Sequence, residues 1–336
     1  MPPRSTPPLL LALGISALGP ATAIAQQQPV HGGGPAVSPD GHSIAFTANR
    51  DGHFDIWVIG ADGQGERRVT DTEAPERNLA WLATGEIGFS LFEGDSSRIY
   101  AIRPDGTGLH QLGTVPGREL RISPDGSRVV QPLGQFPALR LVVAALDGSG
   151  ARDLTDGTHP AFHPAWSADG SHIAFSERLG PDTTALAIVA VDGSDHHLIG
   201  SIPPAEGSVE MPAWSPDGRR IAVQVGRYPR DRTDQAVAHI RVVDVASGEA
   251  RQLGRHQRPY LDETPAWFPD GETLAFQSDR TGTMEVWRMR ADGSRRLRVT
   301  GAVPGNRGPD VSPDGRRVAF TSDRGGPDRV MTIGAD

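Results

Sequence analysis

The chain has 336 residues and a formal charge of −8, with no cysteine and no lysine, so that all 33 basic residues are arginine. A negative chain gives nucleic-acid binding little electrostatic support, the missing thiols exclude disulfides and thiolate metal centres, and the missing amines exclude Schiff-base chemistry.

Residues 1–25 read as a secretory signal peptide. Arg4 precedes the apolar run Leu9–Leu18, and Ala23-Ile24-Ala25 then places small residues at −3 and −1 of a cleavage site before Gln26. The run is too short to span a bilayer, and no cysteine follows the site to carry a lipid anchor. The expectation is a cleaved leader near Ala25, a single domain over residues 26–336, and a periplasmic or secreted location. Gln26–Gly34 is a polar, glycine-rich lead.

After the lead, one strand-turn-strand signature recurs to the end. Its turns are Ser38-Pro39-Asp40-Gly41, the degenerate Leu82-Ala83-Thr84-Gly85, Ser123-Pro124-Asp125-Gly126, Ser167-Ala168-Asp169-Gly170, Ser215-Pro216-Asp217-Gly218, Phe268-Pro269-Asp270-Gly271 and Ser312-Pro313-Asp314-Gly315. Proline presets φ for the first turn position and glycine takes the left-handed one. The most complete unit, Pro265–Thr300, reads as four short strands joined by three turns, an up-and-down antiparallel sheet. Second strands such as Ile44-Ala45-Phe46, Ile173-Ala174-Phe175 and Leu274-Ala275-Phe276 are apolar on both faces, as a sheet covered on both sides requires. Their small middle residue admits close approach of the next sheet.

Four-stranded units recurring at intervals of 41 to 53 residues mark an all-β fold, a β-propeller of seven four-stranded blades, with six blades as the alternative. The seventh unit ends at Gly334-Ala335-Asp336, where its fourth strand should begin. An N-terminal strand is therefore expected to close the last blade and cover its edge, and Gln26–Gly34 is the segment expected to do so beside Arg329–Ile333.

Pro212–Gln224 (PAWSPDGRRIAVQ), the Ser-Asp-Arg turns at Ser278 and Ser322, and Asp147–Thr155 (DGSGARDLT) resemble the WD-like repeat of the TolB-type propellers along the whole mature chain. The resemblance implies a propeller in the cell envelope and a protein partner such as an envelope lipoprotein. The same family includes oligogalacturonate lyases, with a His-rich manganese site, and the propeller domains of prolyl-oligopeptidase-type peptidases. The sequence has no Gly-x-Ser-x-Gly elbow of the peptidase kind. Nor does the short lead leave room before the first repeat for the α/β domain that precedes the propeller in TolB itself.

The loop entering each inner strand reaches the mouth of the central channel. The position two before the inner-strand proline, or its equivalent, holds Gly33, Arg77, Arg118, Phe162, Glu210, Glu263 and Arg307 in ring order. Arg77, Arg118 and Arg307 form a basic arc, Glu210 and Glu263 an acidic one, and together they suit an extended peptide or an acidic group. The competing reading is ordinary polar loops with salt bridges across the ring. Tyr260, after Pro259 in a mouth loop, is the expected exposed aromatic contact. His159, His163 and His256 also lie in mouth loops, but Pro160 and Pro164 prevent a helix that would align the first two, and no metal or other cofactor is expected. Glu210 and Glu263 are also candidates for a general acid/base pair. Trp81, Trp166, Trp214 and Trp267 recur at one repeat position and are expected to wedge between blades.

The sequence thus points to a monomeric protein-binding or scaffolding module with no nucleic-acid partner and no membrane span, rather than to an enzyme. The alternative is an enzyme of glycan or uronate chemistry using the mouth histidines and carboxylates.

Overall fold

The computed structural model describes residues 22–23, 34–49, 54–117, 119–181, 183–202, 206–227, 236–253, 260–301, 305–322 and 329–335. Among them there is no α-helix, and the strands form seven antiparallel four-stranded sheets. Six sheets are each built from consecutive strands, beginning at Ala36, Glu76, Arg121, Ala161, Ser208 and Asp262. The seventh holds Asn306–Val311, Arg317–Ser322 and Arg329–Gly334, with Thr22–Ala23 as its outermost strand. The chain is a seven-bladed β-propeller closed by an N-terminal strand.

The closing strand lies upstream of Gln26–Gly34. Thr22 pairs with Thr332 and Ala23 with Met331, while residues 26–33 lie outside the described residues, as does the rest of the expected leader. The other outer strands are followed by the next inner strand after residues 69–75, 117–120, 154–160, 202–207, 254–261 and 299–305.

Sheets with no helix to cover them bury their faces on one another. Each seam carries its own apolar cluster, and the clusters follow one another round the ring. The last seam is closed by side chains as well as by strand pairing: Ile44, Phe46 and Ile59 of the first blade meet Ala319 and Val330 of the seventh. Phe46, Phe89, Phe175, Phe276 and Phe320 occupy one repeat position in the second strands and are fully buried. Burial of each contributes on the order of 2 kcal/mol. The small residue before them is needed where seams are tight. A Cβ on Gly88 would stand 2.9 Å from both Ile122 Cδ1 and Leu82 Cδ2.

The tryptophans are wedges that also hydrogen-bond. Each indole Nε1 donates to a backbone carbonyl on the preceding blade's inner strand: Trp81 to Ala36 at 2.9 Å, Trp166 to Arg121 at 2.9 Å, Trp214 to Ala165 at 3.1 Å and Trp267 to Ala213 at 2.9 Å. The first blade has Val37 at this position, and its backbone N–H instead donates to the Asp310 carboxylate of the seventh blade at 2.8 Å. The Ser-x-Asp-Gly turns lock themselves in a repeated way. In five blades the serine Oγ donates to the aspartate two residues on, at 2.5 to 2.6 Å. In all five it also accepts the N–H five residues on, at 2.9 to 3.0 Å.

Candidate functional site

The inner strands carry the site. In five blades the pairing of first with second strand slips at one place, between Arg77 and Ala80, Phe162 and Ala165, Glu210 and Ala213, Glu263 and Ala266, and Arg307 and Asp310. A β-bulge there re-aims the strand where it reaches the channel. The residue inside each bulge has positive φ: Asn78 at 53°, His163 at 51°, Met211 at 48°, Thr264 at 48° and Gly308 at 57°. For a β-branched residue such as Thr264 this conformation is strained.

The residues on the outer side of the bulges are the ones read from the sequence. Arg77 pairs with Ser90, Phe162 with Ser176, Glu210 with Gln224, Glu263 with Gln277 and Arg307 with Thr321. They share one register and so one level of the channel. Arg77 and Arg307 are exposed, and the Arg77 guanidinium lies over the Phe92 ring at 5.9 Å. Arg118 lies outside the described residues, as do Gly33 and His256.

The acidic arc is held in place by the second strands. Gln224 Nε2 donates to Glu210 at 3.3 Å and Ser208 Oγ donates to the same carboxylate at 2.9 Å, while Gln277 Nε2 donates to Glu263 at 2.9 Å. The amide oxygens face the next blade's bulge: Gln224 Oε1 accepts Thr264 N–H at 3.1 Å and Gln277 Oε1 accepts Gly308 N–H at 2.9 Å. Each glutamine therefore links a mouth carboxylate to the neighbouring blade, and both carboxylates sit on braced supports.

Tyr260 is half-buried and stacked. The Arg280 guanidinium lies 5.0 Å from its ring, 5.3 Å from Phe276 and 4.9 Å from Trp287, and forks onto the fully buried Asp262 at 2.5 and 2.6 Å. Burial pushes the Tyr260 hydroxyl above its ordinary value. The expected free aromatic contact is thus one layer of a cation–π stack.

His163 does line the channel. It stands with Arg121, Met211 and Thr264 around a cavity of about 400 Å³, walled also by Pro212 and Pro309. His159 and His196 lie elsewhere, flanking the buried carboxylate of Glu177 at 3.7 and 3.1 Å. Among the described residues no group of three or more His, Asp or Glu side chains is arranged to hold a metal ion.

Arg121 was not singled out from the sequence, because the third blade has neither the proline nor the tryptophan that marks the inner strand elsewhere. A signal was nevertheless present. The residues facing the middle second-strand position, small in every blade but the third, where it is Val130, are Ala36, Ala80, Arg121, Ala165, Ala213, Ala266 and Asp310. Five alanines, one arginine and one aspartate set the third and seventh blades apart. Surrounding protein pushes the Arg121 guanidinium below its ordinary value, opposed by the nearby charge of Glu119. Burial pushes the Asp310 carboxyl up to about 6.

Seven four-stranded sheets with a charged, bulge-lined axial opening define a β-propeller. The chain belongs to the TolB β-propeller family: the TolB beta propeller domain (PD40) matches residues 133–336. An uncharacterized peptidase, YuxL, of Bacillus subtilis is 31% identical over 164 residues, which is 40% of this chain and 24% of that protein. The chain spans less than half the length of the curated relatives it matches. Among solved structures, an oligogalacturonate lyase in complex with manganese is similar over 95% of this chain and 94% of that one, with a TM-score of 0.68 at 15% identity. TolB from Acinetobacter baumannii is similar over 81% of this chain and 67% of that one, with a TM-score of 0.56 at 16% identity. Likeness at that identity shows the fold alone. No helix among the described residues is long and apolar enough to cross a membrane.

Proposed function

We propose that the protein is a periplasmic or secreted propeller whose channel mouth binds an extended segment of a cell-envelope protein without catalysing its turnover. In this reading residues 1–25 are a leader cleaved before Gln26, which takes Thr22–Ala23 away from the edge of the seventh blade in the mature chain, and residues 26–336 are one binding domain. The observation that supports it is the two-signed mouth. Arg77 and Arg307 reach solvent on either side of the first blade, and Glu210 and Glu263 are braced by glutamines on the fifth and sixth. Arginine forks suit carboxylates of a bound segment, and fixed carboxylates suit its cationic or N–H groups. The test is crosslinking in an envelope extract with the double variant Arg77→Glu, Arg307→Glu. The variant is expected to lose partners that the parent captures, and an unchanged set of crosslinks would sink the proposal.

The second reading, an enzyme of glycan or uronate chemistry, draws its support from the similarity to the lyase over nearly the whole chain. It predicts turnover of polygalacturonate fragments that His163→Ala abolishes. Such a result would put the enzyme first.

A further inference from the structure

Strain and unpartnered polarity coincide in the channel, on blades three to six. The bulge residue is glycine at position 308, where positive φ is free of side-chain penalty. Asn78 also stands in a bulge, and asparagine is among the residues that tolerate this region. His163, Met211 and Thr264 hold the same conformation with side chains that suit it poorly, and all three line the cavity that Arg121 also lines. Glycine serves the fold at this repeat position, so the fold by itself does not call for side chains there.

The polar atoms in question lack partners. His163 Nδ1 and Thr264 Oγ1 are shielded from solvent and meet no hydrogen-bond partner. Buried polar groups ordinarily find one. Arg121 makes only a contact from Nη1 to the adjacent Leu120 carbonyl, at 3.1 Å, and no carboxylate among the described residues lies within ion-pair distance of it. The Arg121 side chain is exposed, with Glu119 as the nearby opposite charge, so its guanidinium is open to an incoming anion, which its fork of donors suits. The remaining wall is apolar: proline rings, with Met211 42% exposed. A volume of about 400 Å³ is at the scale of small-molecule sites.

We propose that the channel holds a binding site for a small amphipathic organic acid. Its carboxylate is taken by the Arg121 guanidinium, with His163 and Thr264 as further polar contacts, and its apolar body lies against Met211 and the prolines. The site is below the charged mouth and does not depend on the mouth's having a macromolecular partner. Absence of acid binding overturns the channel site alone and leaves the mouth to its own crosslinking assay.

The experiment is isothermal titration of the purified full chain with sodium phenylacetate, with neutral phenylacetamide and sodium sulfate as comparators. Phenylacetate is expected to bind saturably at one site, phenylacetamide and sulfate much more weakly, and Arg121→Gln to weaken phenylacetate roughly tenfold or more while melting as the parent does. Thr264→Gly relieves the backbone, so its Tm is expected to stay level or rise by about 2 °C while phenylacetate binding weakens. No saturable phenylacetate binding, binding unchanged in Arg121→Gln, or sulfate binding as tightly as the acid would overturn the site. A Thr264→Gly variant that melts well below the parent, or binds phenylacetate as tightly, would refute the link between strain and ligand.

Discussion

Replacing Asp310 with asparagine isolates what holds the ring at its seam. Asp310 accepts Val37 N–H of the first blade at 2.8 Å and its own neighbour's Val311 N–H at 3.0 Å. Burial nevertheless wins over these two bonds and raises the carboxyl from 3.8 to about 6. A group with a folded value above its unfolded one binds more protons in the native state between the two. Its contribution is therefore fully present below about pH 4, falls as pH rises, and is lost above about pH 6. A shift of about two units corresponds to about 3 kcal/mol of stability forgone at neutral pH. Asparagine keeps an oxygen for Val37 N–H and never ionises. The variant is expected to exceed the parent by up to about 3 kcal/mol at pH 7.5 and by less than about 1 kcal/mol at pH 4.0. At roughly 2 °C per kcal/mol for a chain of this length, calorimetric melts should differ by about 6 °C at the higher pH and about 1 °C at the lower. An equal offset at both pH values, or an asparagine variant that melts lower at pH 7.5, would refute the reasoning.

Three further outcomes are expected. Arg280→Ala strands the buried Asp262 carboxylate without its fork and is expected to cost about 3–5 kcal/mol in denaturant unfolding. Arg280→Lys should recover little of that, because an amine cannot fork, and full recovery by lysine would show that charge alone matters there. Trp214→Phe keeps the wedge but removes the indole donor to the Ala165 carbonyl, an expected loss of about 1 kcal/mol with the circular dichroism spectrum unchanged, and an unshifted midpoint would deny the inter-blade bond its role. A chain starting at Gln26 loses the Thr22–Ala23 pairing, so hydrogen exchange is expected to quicken at Met331 and Thr332, while exchange as slow as in the full chain would mean that another segment covers that edge.

The blades were legible because their punctuation is local. Each Ser-x-Asp-Gly turn forms its own bonds within five residues, so it reads the same in a string as in the fold. The closing of the last blade was legible as a topological need but misplaced in sequence. Gln26–Gly34 has no apolar alternation to distinguish strand from connection, and leader-like composition concealed Thr22–Ala23. The strand register was legible where Pro-Ala-Trp marks the inner strand, at Glu210 and Glu263, and Arg77 and Arg307 hold the equivalent places beside Leu79-Ala80-Trp81 and Pro309-Asp310-Val311. The fate of Tyr260 was not, since its partner Arg280 sits across a loop whose closure depends on the buried Asp262.

The bulges were illegible for a physical reason. A residue before proline reads as extended, yet His163, Met211 and Thr264 each precede a proline with φ near 50°. The bulge that turns each strand at the channel sets that conformation, and for Thr264 the preceding blade's Gln224 accepts the N–H it turns aside. What repeats in this chain builds the ring: phenylalanines at the seams, tryptophans to the neighbouring carbonyl, serine–aspartate turns. What fails to repeat faces the axis: Arg121 and Asp310 in a row of alanines, and histidine, methionine and threonine where glycine would fit. A likeness carried by the repeats can establish the propeller but cannot name its ligand. That information resides in the few axial positions where one blade departs from the others, and variants at those positions, more than any variant of the seams, will distinguish a binding mouth from an enzyme.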